Sequence, residues 1–397
     1  MKRISNTWQV VVDEDNAMSA IIDGTRFKRG KRGVQKLLFS KEVVAENPGL
    51  YHQIDPEKAR IYAKQLTTAL KNKTWHHSAP IGRMQYCANR THGKGKWRNL
   101  YIPRLDDHIV GHMLIKANMR AFTRGMHPFC CGSVPGRGVE FMRKTIAGWM
   151  KNDRQMRYFV KLDIRHFFDN IDKDKLLYRL NTKIKDKDSM WGFSEVTGSA
   201  PVACPVGYYT SPWFANLYLE PLDWFIEQLL YKKRRGKRIK YVRHFIRYID
   251  DMVLFGTSKA DLEKAVRAII DYLRTNYGLE IKHNWEIKHI AQFDERHDIK
   301  HNTYWLDMGG YKFAPNETIL RDGIFLSTRR MAKEMSRSGY YTAHQCLAII
   351  SKIGWAKHCN SRSFIECYIK PYINIKTVRR IIGYVAKVEE LRRCASA

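Results

Sequence analysis

The chain lacks the features that would place it in or through a membrane. Its longest apolar runs fall short of the ~20 residues that a spanning helix needs. The first residues, Met1–Asn6, lead into no apolar core of a secretory signal. We therefore expect a protein without a membrane partner that works in the cytoplasm.

Paired and clustered cysteines are lacking as well. The chain has eight cysteines, without CxxC pairs and without the Cys/His spacing of a zinc site. The adjacent Cys130 and Cys131 are expected to be buried thiols, which fits a reducing compartment. Repeats and low-complexity linkers are also missing, so the 397 residues are expected to form one composite unit.

Acidic residues are scarce relative to basic ones. There are 39 Asp plus Glu against 70 Lys plus Arg, which gives a formal net charge of +31. Such an excess favours binding to a polyanion, because counterions are released on association. Charge supplies affinity but no sequence selection, so the chemistry has to be sought in individual residues.

Two of the few acids, Asp250 and Asp251, stand side by side between short apolar runs. A tight β-hairpin turn at this point would present both carboxylates to solvent. Asp is a good turn former, so an ordinary turn also explains the pattern. Adjacent acids repel each other, however, and a divalent cation removes that repulsion.

A second segment, Tyr158–Ile164, alternates between apolar and polar residues. This period of two predicts a half-buried strand with Asp163 on the face opposite Val160 and Leu162. Asp163 and the Asp250–Asp251 pair could converge on two Mg²⁺ ions, as in-line phosphoryl transfer requires. Mn²⁺ is an alternative, since both are hard cations. The other interpretation is a solvated strand residue and an unrelated turn.

Between these segments lies a loop followed by a helical pattern. Gly207 permits close approach of the backbone to a ligand, and Thr210 or Ser211 can cap a helix that opens with Pro212. We expect Pro221 to stop or kink that helix. Further on, Asp261 to Tyr277 is a predicted helix that ends at Gly278, and Gly278 to Lys282 is expected to begin a strand.

In this order, the segments resemble the motifs of reverse transcriptases. Asp163 with Phe168 resembles motif A, residues 205–216 resemble motif B, and Tyr248–Asp251 resembles the YxDD box of motif C. Residues 96–108 resemble the fingers segment. The resemblance implies an α+β, right-hand polymerase with fingers, a palm of antiparallel sheet and helices, and a helical thumb.

The resemblance also implies domain boundaries. They are a basic N-terminal extension over 1–44, fingers over 45–152, a palm with motifs A, B and C over 153–309, and a helical thumb over 310–397. Its implied cofactor is Mg²⁺, with deoxynucleoside triphosphates as substrates. The implied catalytic residues are Asp163, Asp250 and Asp251, and the implied metal set adds Ile164.

Nucleotide contacts follow from the same resemblance. Arg98, with Lys96 nearby, should reach the incoming triphosphate, because a guanidinium fork suits phosphate oxygens; an exposed strand Arg is the alternative. Phe168 should lie under the sugar and exclude a 2′-hydroxyl. Val206 and Gly207 should lie near the templating base pair.

Nucleic-acid contacts are expected at two further places. Arg137 is a candidate template or nucleotide contact. The densest basic run precedes the YxDD strand, and either it is a solvated loop or it contacts the phosphates of template or structured RNA, the latter favoured by closeness to the active site. Its residues are Lys232, Lys233, Arg234, Arg235, Lys237 and Arg238.

The expected subgroup of reverse transcriptases is based mainly on one departure from the common motif B sequence. Many reverse transcriptases carry Gln before the motif B glycine, and Val206 at this place resembles the enzymes of diversity-generating retroelements. Residues 351–360 resemble the thumb of that group, whereas Pro212 departs from it. We expect RNA-directed DNA synthesis on a dedicated structured RNA in such a retroelement, together with a small basic accessory protein.

Three alternatives stay open. An antiphage defence reverse transcriptase would act with a non-coding RNA. A polymerase-derived RNA-binding protein would have lost the chemistry, although the intact carboxylates oppose this. An intron maturase is disfavoured, because the chain lacks room for a DNA-binding and endonuclease tail.

Overall fold

The computed structural model describes residues 3–26, 28, 31–40, 54–87 and 96–384. Its helices are α1 (Thr7–Val11), α2 (Glu14–Thr25), α3 (Arg32–Leu38), α4 (Pro56–Lys71), α5 (Leu105–Ala117), α6 (Met119–Thr123), α7 (Val139–Asn152), α8 (Lys173–Lys183), α9 (Lys187–Gly198), α10 (Ser211–Gln228), α11 (Lys259–Tyr277), α12 (Asp322–Arg337), α13 (Ala343–Ala356) and α14 (Arg362–Tyr368). Residues 375–384 are also helical.

The strands are short and mostly antiparallel. They are β1 (Ile81–Cys87), β2 (Lys96–Ile102), β3 (Tyr158–Asp163), β4 (Tyr231–Arg234), β5 (Lys237–Lys240), β6 (His244–Tyr248), β7 (Asp251–Gly256), β8 (Ile287–Ile290), β9 (Thr303–Tyr304), β10 (Leu306–Met308), β11 (Tyr311–Ala314) and β12 (Glu317–Leu320). Mixed helices and antiparallel strands confirm the expected α+β class.

A five-stranded sheet occupies the centre, in the order β6-β7-β3-β8-β9. Neighbouring strands are antiparallel except for the short pair β8 and β9. Successive side chains of a strand point to opposite faces, and β3 shows this directly. Val160 and Leu162 enter one hydrophobic core, whereas Phe159 enters the other. The alternation predicted for this strand is therefore confirmed.

The larger core joins the N-terminal helices to the sheet. It includes buried side chains of α2, α4, α5, α10 and α11. Helices α2, α4, α8 and α9 each begin at an aspartate whose carboxylate accepts hydrogen bonds from backbone N–H groups of the first turn, which stabilises the helix start. These N-cap residues are Asp13, Asp55, Asp172 and Asp186.

The second core lies on the opposite face of the sheet. It contains Met142 and Ile146 of α7, Phe313 of the three-stranded sheet β10-β11-β12, and Ile349 of α13. The helical C-terminal region therefore packs on the sheet face opposite the N-terminal helices. Within the part of the chain that the structure describes, no helix is both long and apolar enough to cross a bilayer.

Three local expectations need correction. Thr210 is the N-cap of α10, one of the two residues expected there, but it makes no capping side-chain bond, and the helix starts at Ser211 with Pro212 second. Ser211 Oγ donates to the Pro205 carbonyl instead. Pro221 does not stop the helix, which continues to Gln228. Residues 278–282 form no strand, since Ile281 makes only an isolated bridge with Ile164. The helix ending at Gly278, with φ of 67°, is confirmed.

Candidate active site

Three carboxylates meet at one edge of the central sheet. In the pairing of β3 with β7, Asp163 lies opposite Asp251, and in the pairing of β6 with β7, Tyr248 lies opposite Asp251. Asp250 therefore occupies a two-residue turn beside that pair. The register brings together the strand and the hairpin that the sequence placed 87 residues apart (250 − 163).

The turn itself is conformationally unusual. Ile249 has a φ of 59°, a left-handed conformation that a β-branched side chain rarely adopts. Such conformations persist only when the surrounding structure enforces them, and they are common at functional sites. The residue immediately before Asp250 is therefore held in a costly geometry.

The carboxylates perturb one another. Burial first, and the neighbouring Asp251 charge second, raise the pKa of Asp250 to about 6. Desolvation and the charge of Asp163 also raise the pKa of Asp251. Both effects destabilise the ionised forms, and a bound cation would reverse them.

A lysine supplies positive charge at this edge. Lys282 Nζ donates to Asp163 Oδ2 at 2.5 Å. Among the residues that the structure describes, no three His, Cys, Asp or Glu side chains form a group that could already hold a metal ion. By the chemistry of its carboxylate oxygens, the donor set of Asp163, Asp250 and Asp251 nevertheless suits Mg²⁺ or Mn²⁺. Ile164 buries its apolar side chain, so only its backbone carbonyl could contribute.

A cleft of about 340 Å³ opens beside the carboxylates. Lys161 is one of its lining residues and donates from Nζ to the Asp307 carbonyl at 2.6 Å. This bond ties strand β10 to strand β3, and the Asp307 carboxylate also pairs with Arg321. Two tryptophans, Trp285 and Trp305, form part of the wall. The cleft thus combines acid, basic and aromatic surface.

The loop before α10 packs against the end of β2. The Tyr101 N–H donates to the Val206 carbonyl at 2.8 Å. Gly207 has a φ of 117°, and a Cβ added there would lie 2.3 Å from the Tyr101 carbonyl oxygen. Only glycine fits this contact, so the close approach expected at Gly207 is made to β2 of the protein itself.

The other predicted nucleotide contacts lie at different depths. Arg98 is exposed on β2 opposite Gln85, and Lys96 begins that strand, although its side chain lies outside the described residues. Phe168 opens a 3₁₀ turn and is half-buried against the larger core. Val206 is also half-buried. Their roles toward a nucleotide stay predictions.

Arg137 lies near the Ile249–Asp250 turn, the candidate catalytic turn. Its Nη1 atom donates to the carbonyls of His127 and Cys130, both at 2.9 Å. These bonds hold a segment that packs under Ile249, which gives Arg137 a structural function. Its contact with template or nucleotide stays a prediction.

The basic run forms the exposed hairpin β4–β5. Lys232 pairs with Asp261, and Lys240 pairs with Glu227, so both ends are tied to helices. Lys233 and Lys237 make no ion pair with any residue that the structure describes. The side chain of Arg234 lies outside the described residues.

The expected closeness of this hairpin to the carboxylates is wrong. It leads into the start of β6 at His244, whereas the catalytic turn follows the end of that strand at Tyr248. The five residues of β6 are separated by four steps that span ~13 Å, so the hairpin joins β6 at the end opposite the turn. Any phosphate contact it makes is separate from the catalytic cleft.

Sequence reasoning missed the residues that support the site. Arg247 is fully buried and pairs through two hydrogen bonds with Asp223. Although burial opposes its charge, the Asp223 carboxylate raises the pKa of Arg247 above its usual value. An arginine inside an apolar strand was the available signal. Lys161 and Lys282 carried no signal beyond their positions near the predicted strands.

A sheet edge that presents converging carboxylates beside a cleft of mixed charge is suited to two-metal nucleotidyl transfer. Comparison with known proteins defines the family. Residues 88–285, about half the chain, match the family described as reverse transcriptase (RNA-dependent DNA polymerase). The chain belongs to this family, which confirms the expected right-hand polymerase fold.

Two relatives are intron proteins by name. Group II intron-encoded protein LtrA of Lactococcus lactis subsp. cremoris is 28% identical over 183 residues, covering 43% of this chain and 29% of that protein. An uncharacterized 91 kDa protein in a cob intron of Schizosaccharomyces pombe is 32% identical over 108 residues, covering 25% and 13%. The chain thus spans less than a third of the length of either relative.

Among solved structures, apo telomerase from Candida tropicalis, truncated from its C-terminal domain, is similar with a TM-score of 0.41. The sequence identity is 11%, and the similarity covers 66% of this chain and 60% of that chain.

Proposed function

We propose that the protein is an RNA-directed DNA polymerase that makes cDNA on a structured RNA. The observation that carries this proposal is the strand register that sets Asp163 against Asp251 beside the turn residue Asp250. Membership of the reverse transcriptase family agrees with it.

In the proposed reaction, each part of the site has a separate task. Asp163, Asp250 and Asp251 hold divalent cations, with the Ile164 carbonyl as a further ligand. The Arg98 guanidinium orients the triphosphate from the fingers. Bound Mg²⁺, or Mn²⁺ in its place, would supply activation of the primer hydroxyl and neutralisation of the leaving pyrophosphate.

Two features of the site select the nucleotide. The half-buried Phe168 ring limits the space for a 2′-hydroxyl on the sugar. The loop containing Val206 and Gly207, fixed to Tyr101, supports the templating base pair. Deoxynucleoside triphosphates are therefore the expected substrates.

Primer extension on an RNA template tests the reaction. Asp250→Ala/Asp251→Ala should abolish incorporation, because the two cations lose their shared ligands. Asp271→Ala, an exposed acid on α11, is the matched control and should incorporate like the wild type. Equal incorporation by the double variant and the wild type would contradict the assignment. A wild type that binds RNA without incorporation would instead favour the non-catalytic RNA-binding protein.

We infer that the β4–β5 hairpin anchors RNA outside the cleft. Its cations Lys233, Arg235 and Lys237 are exposed and make no ion pair with any residue that the structure describes, and both of its ends are tied to the body by ion pairs. An anchored, unipolar ribbon suits phosphate contacts at a distance from the reacting strand. A structured RNA long enough to reach both places would be retained during synthesis.

For the biological setting, we propose a diversity-generating retroelement with a small basic accessory protein. The support is Val206 and residues 351–360, which resemble that group; an antiphage defence enzyme with a non-coding RNA is the alternative. The intron-encoded relatives add an intron as a third setting. Sequencing RNA that copurifies with the protein decides among them: a template repeat, a dedicated non-coding RNA, or an intron.

A further inference from the structure

A buried polar cluster lies directly beneath the catalytic turn. Its centre is Arg247 on β6, whose side chain and that of its partner Asp223 on α10 are both 0% exposed. Arg247 Nε and Nη2 donate to the two carboxylate oxygens of Asp223 at 2.7 and 2.6 Å. A bidentate pair of this kind fixes the orientation as well as the position of the guanidinium.

The remaining guanidinium nitrogen is directed at the turn. Arg247 Nη1 donates to the Ile249 carbonyl at 2.8 Å and to Asn216 Oδ1 at 3.1 Å. The Ile249 carbonyl belongs to the peptide unit that joins Ile249 to Asp250. Its orientation therefore sets the direction in which the backbone enters Asp250.

The other side of the turn is also fixed. Asn216 Nδ2 donates to the Gly132 carbonyl at 2.7 Å. A Cβ added to Gly132 would lie 2.5 Å from Ile249 Cγ1 and 2.7 Å from the Ile249 nitrogen. The backbone at Gly132 thus packs directly against the turn, and the same cluster that binds Arg247 holds it there.

We propose that Arg247, Asp223 and Asn216 are positioning residues that hold Ile249 in its left-handed conformation and thereby aim Asp250 at the metal site. A β-branched residue adopts this conformation only under constraint. The cluster supplies the constraint on one side and Gly132 supplies it on the other. This inference rests on the proposed function, because it assigns these residues a task in that reaction.

The same helix provides a matched control. Glu220 lies three residues before Asp223 on α10 and is also buried, and its Oε1 accepts from Lys183 Nζ at 2.7 Å. Its partners are on α8, away from the catalytic turn. Asp223→Asn and Glu220→Gln each remove one buried carboxylate charge from α10. Only Asp223 contacts Arg247, which donates to the Ile249 carbonyl.

The experiment measures Mn²⁺ binding by the electron paramagnetic resonance signal of free Mn²⁺, on full-length protein with primer and RNA template. Melting temperature, kcat and the KM for nucleotide are recorded for the same samples. Arg247→Lys and Asp223→Asn should weaken Mn²⁺ binding about tenfold or more, as loss of residues that orient metal ligands does. They should lower kcat more than they raise the KM for nucleotide.

Glu220→Gln should lower the melting temperature without changing Mn²⁺ affinity. If Arg247→Lys or Asp223→Asn melts lower yet binds Mn²⁺ and turns over like the wild type, the cluster is only structural and the proposal is wrong. Failure of the proposed function is distinguishable, since the wild type itself would then neither bind Mn²⁺ at this site nor extend a primer.

Two further variants cover the case in which a charge variant does not fold. Arg247→Met/Asp223→Leu replaces the pair with apolar side chains, a change that buried ion pairs often tolerate. Asn216→Ala leaves the ion pair intact. Each should fold and bind Mn²⁺ less tightly, with a smaller loss for Asn216→Ala, and wild-type affinity in either folded variant would overturn the proposal.

Discussion

The two consecutive hairpins β4–β5 and β6–β7 have turns of the same length but differ in burial, in charge and in the residues of the turn. Each has a two-residue turn, Arg235–Gly236 in the first and Ile249–Asp250 in the second. The first is exposed and basic, and both turn residues have positive φ, a conformation that suits a tight hairpin. The second has buried strands, acidic tips and a β-branched residue at positive φ.

The difference lies in the surroundings of each turn. The basic hairpin obtains its shape locally, because Gly236 accepts positive φ without strain. The catalytic hairpin obtains its shape from the central sheet and the buried cluster around Arg247. The turn of the basic hairpin presents positive charge to solvent. The turn of the β6–β7 hairpin, which its surroundings constrain, places a carboxylate in a fixed direction. The first arrangement suits affinity for RNA, and the second suits chemistry.

The largest expected effect is on the catalytic turn. Asp250→Asn should reduce primer extension by about 10³-fold or more, since a metal ligand contributes several kcal/mol to the transition state. The same change should stabilise the metal-free protein at pH 8 by about 1–2 kcal/mol, because the raised pKa means that the ionised carboxylate destabilises the fold. Chemical denaturation without Mg²⁺ measures the gain in stability of the metal-free variant. Repeating it with Mg²⁺ shows how much of the stabilisation by Mg²⁺ the variant has lost.

The stabilisation by Asp250→Asn should depend on pH in a direction that the pKa shift determines. Because the folded-state pKa of Asp250 is raised to about 6 from an ordinary 3.8, the destabilisation is present above pH 6 and disappears as the pH falls toward 4. The advantage of Asp250→Asn should therefore shrink at pH 5. At low Mg²⁺, wild-type activity should fall as the pH drops through 6. An advantage of Asp250→Asn that is independent of pH would contradict this account.

A smaller effect is expected at the basic hairpin. Lys233→Gln/Arg235→Gln/Lys237→Gln should weaken RNA binding about tenfold and reduce the salt dependence of log Kd by about 2–3, since each phosphate contact contributes ~0.7–0.9. Filter binding over a range of salt concentrations measures this slope. The kcat on a short primer–template should not change, because the hairpin lies outside the cleft.

A control variant that loses the same number of positive charges elsewhere separates the role of the hairpin from that of net charge. Lys64→Gln/Lys71→Gln/Lys264→Gln removes three exposed cations from helices α4 and α11. If this variant loses as much RNA affinity as the hairpin variant, net charge alone explains binding and the hairpin is no anchor.

The two hairpins also differ in how far the sequence predicted them. The alternation around Asp163 predicted a strand, and the short apolar runs on either side of Asp250–Asp251 predicted a hairpin, both from local pattern. That the two segments converge was a hypothesis, which the resemblance to reverse transcriptases supported. Gly207 was predicted as a close-approach position, and the structure shows that its neighbour is Tyr101. Family resemblance supplied the order of the segments.

Long-range contacts explain what the sequence did not show. Arg247 finds its partner Asp223 24 residues earlier and its support near Gly132 still further away, and neither pairing follows a local period. Pro221 lies within an otherwise buried helix, and tertiary packing there outweighs the local preference to end the helix. The order of strands in the central sheet, β6-β7-β3-β8-β9, also depends on long-range pairing.

A moderate effect on the selection of deoxynucleotides over ribonucleotides is expected at Phe168, which follows strand β3. Phe168→Ala should admit ribonucleotides, raising their kcat/KM relative to deoxynucleotides by about tenfold, the usual scale for removing steric bulk from a pocket. Phe168→Leu keeps most of the bulk and should keep the preference. Single-nucleotide incorporation with matched nucleotide pairs measures the ratio. An unchanged preference for deoxynucleotides in Phe168→Ala would refute the role of this ring.

The smallest effect is expected at Val206, which should alter errors without altering RNA affinity. The Val206 carbonyl binds the Tyr101 N–H, so a side-chain change leaves the loop attached to β2. Val206→Gln adds an amide that can hydrogen-bond near the templating base pair, and errors should fall a few-fold, most strongly at template adenines. Val206→Ile stays aliphatic and should keep the wild-type error rate. Sequencing the cDNA products measures both, and equal error rates in Val206→Gln and the wild type would show that fidelity is set elsewhere on the catalytic side.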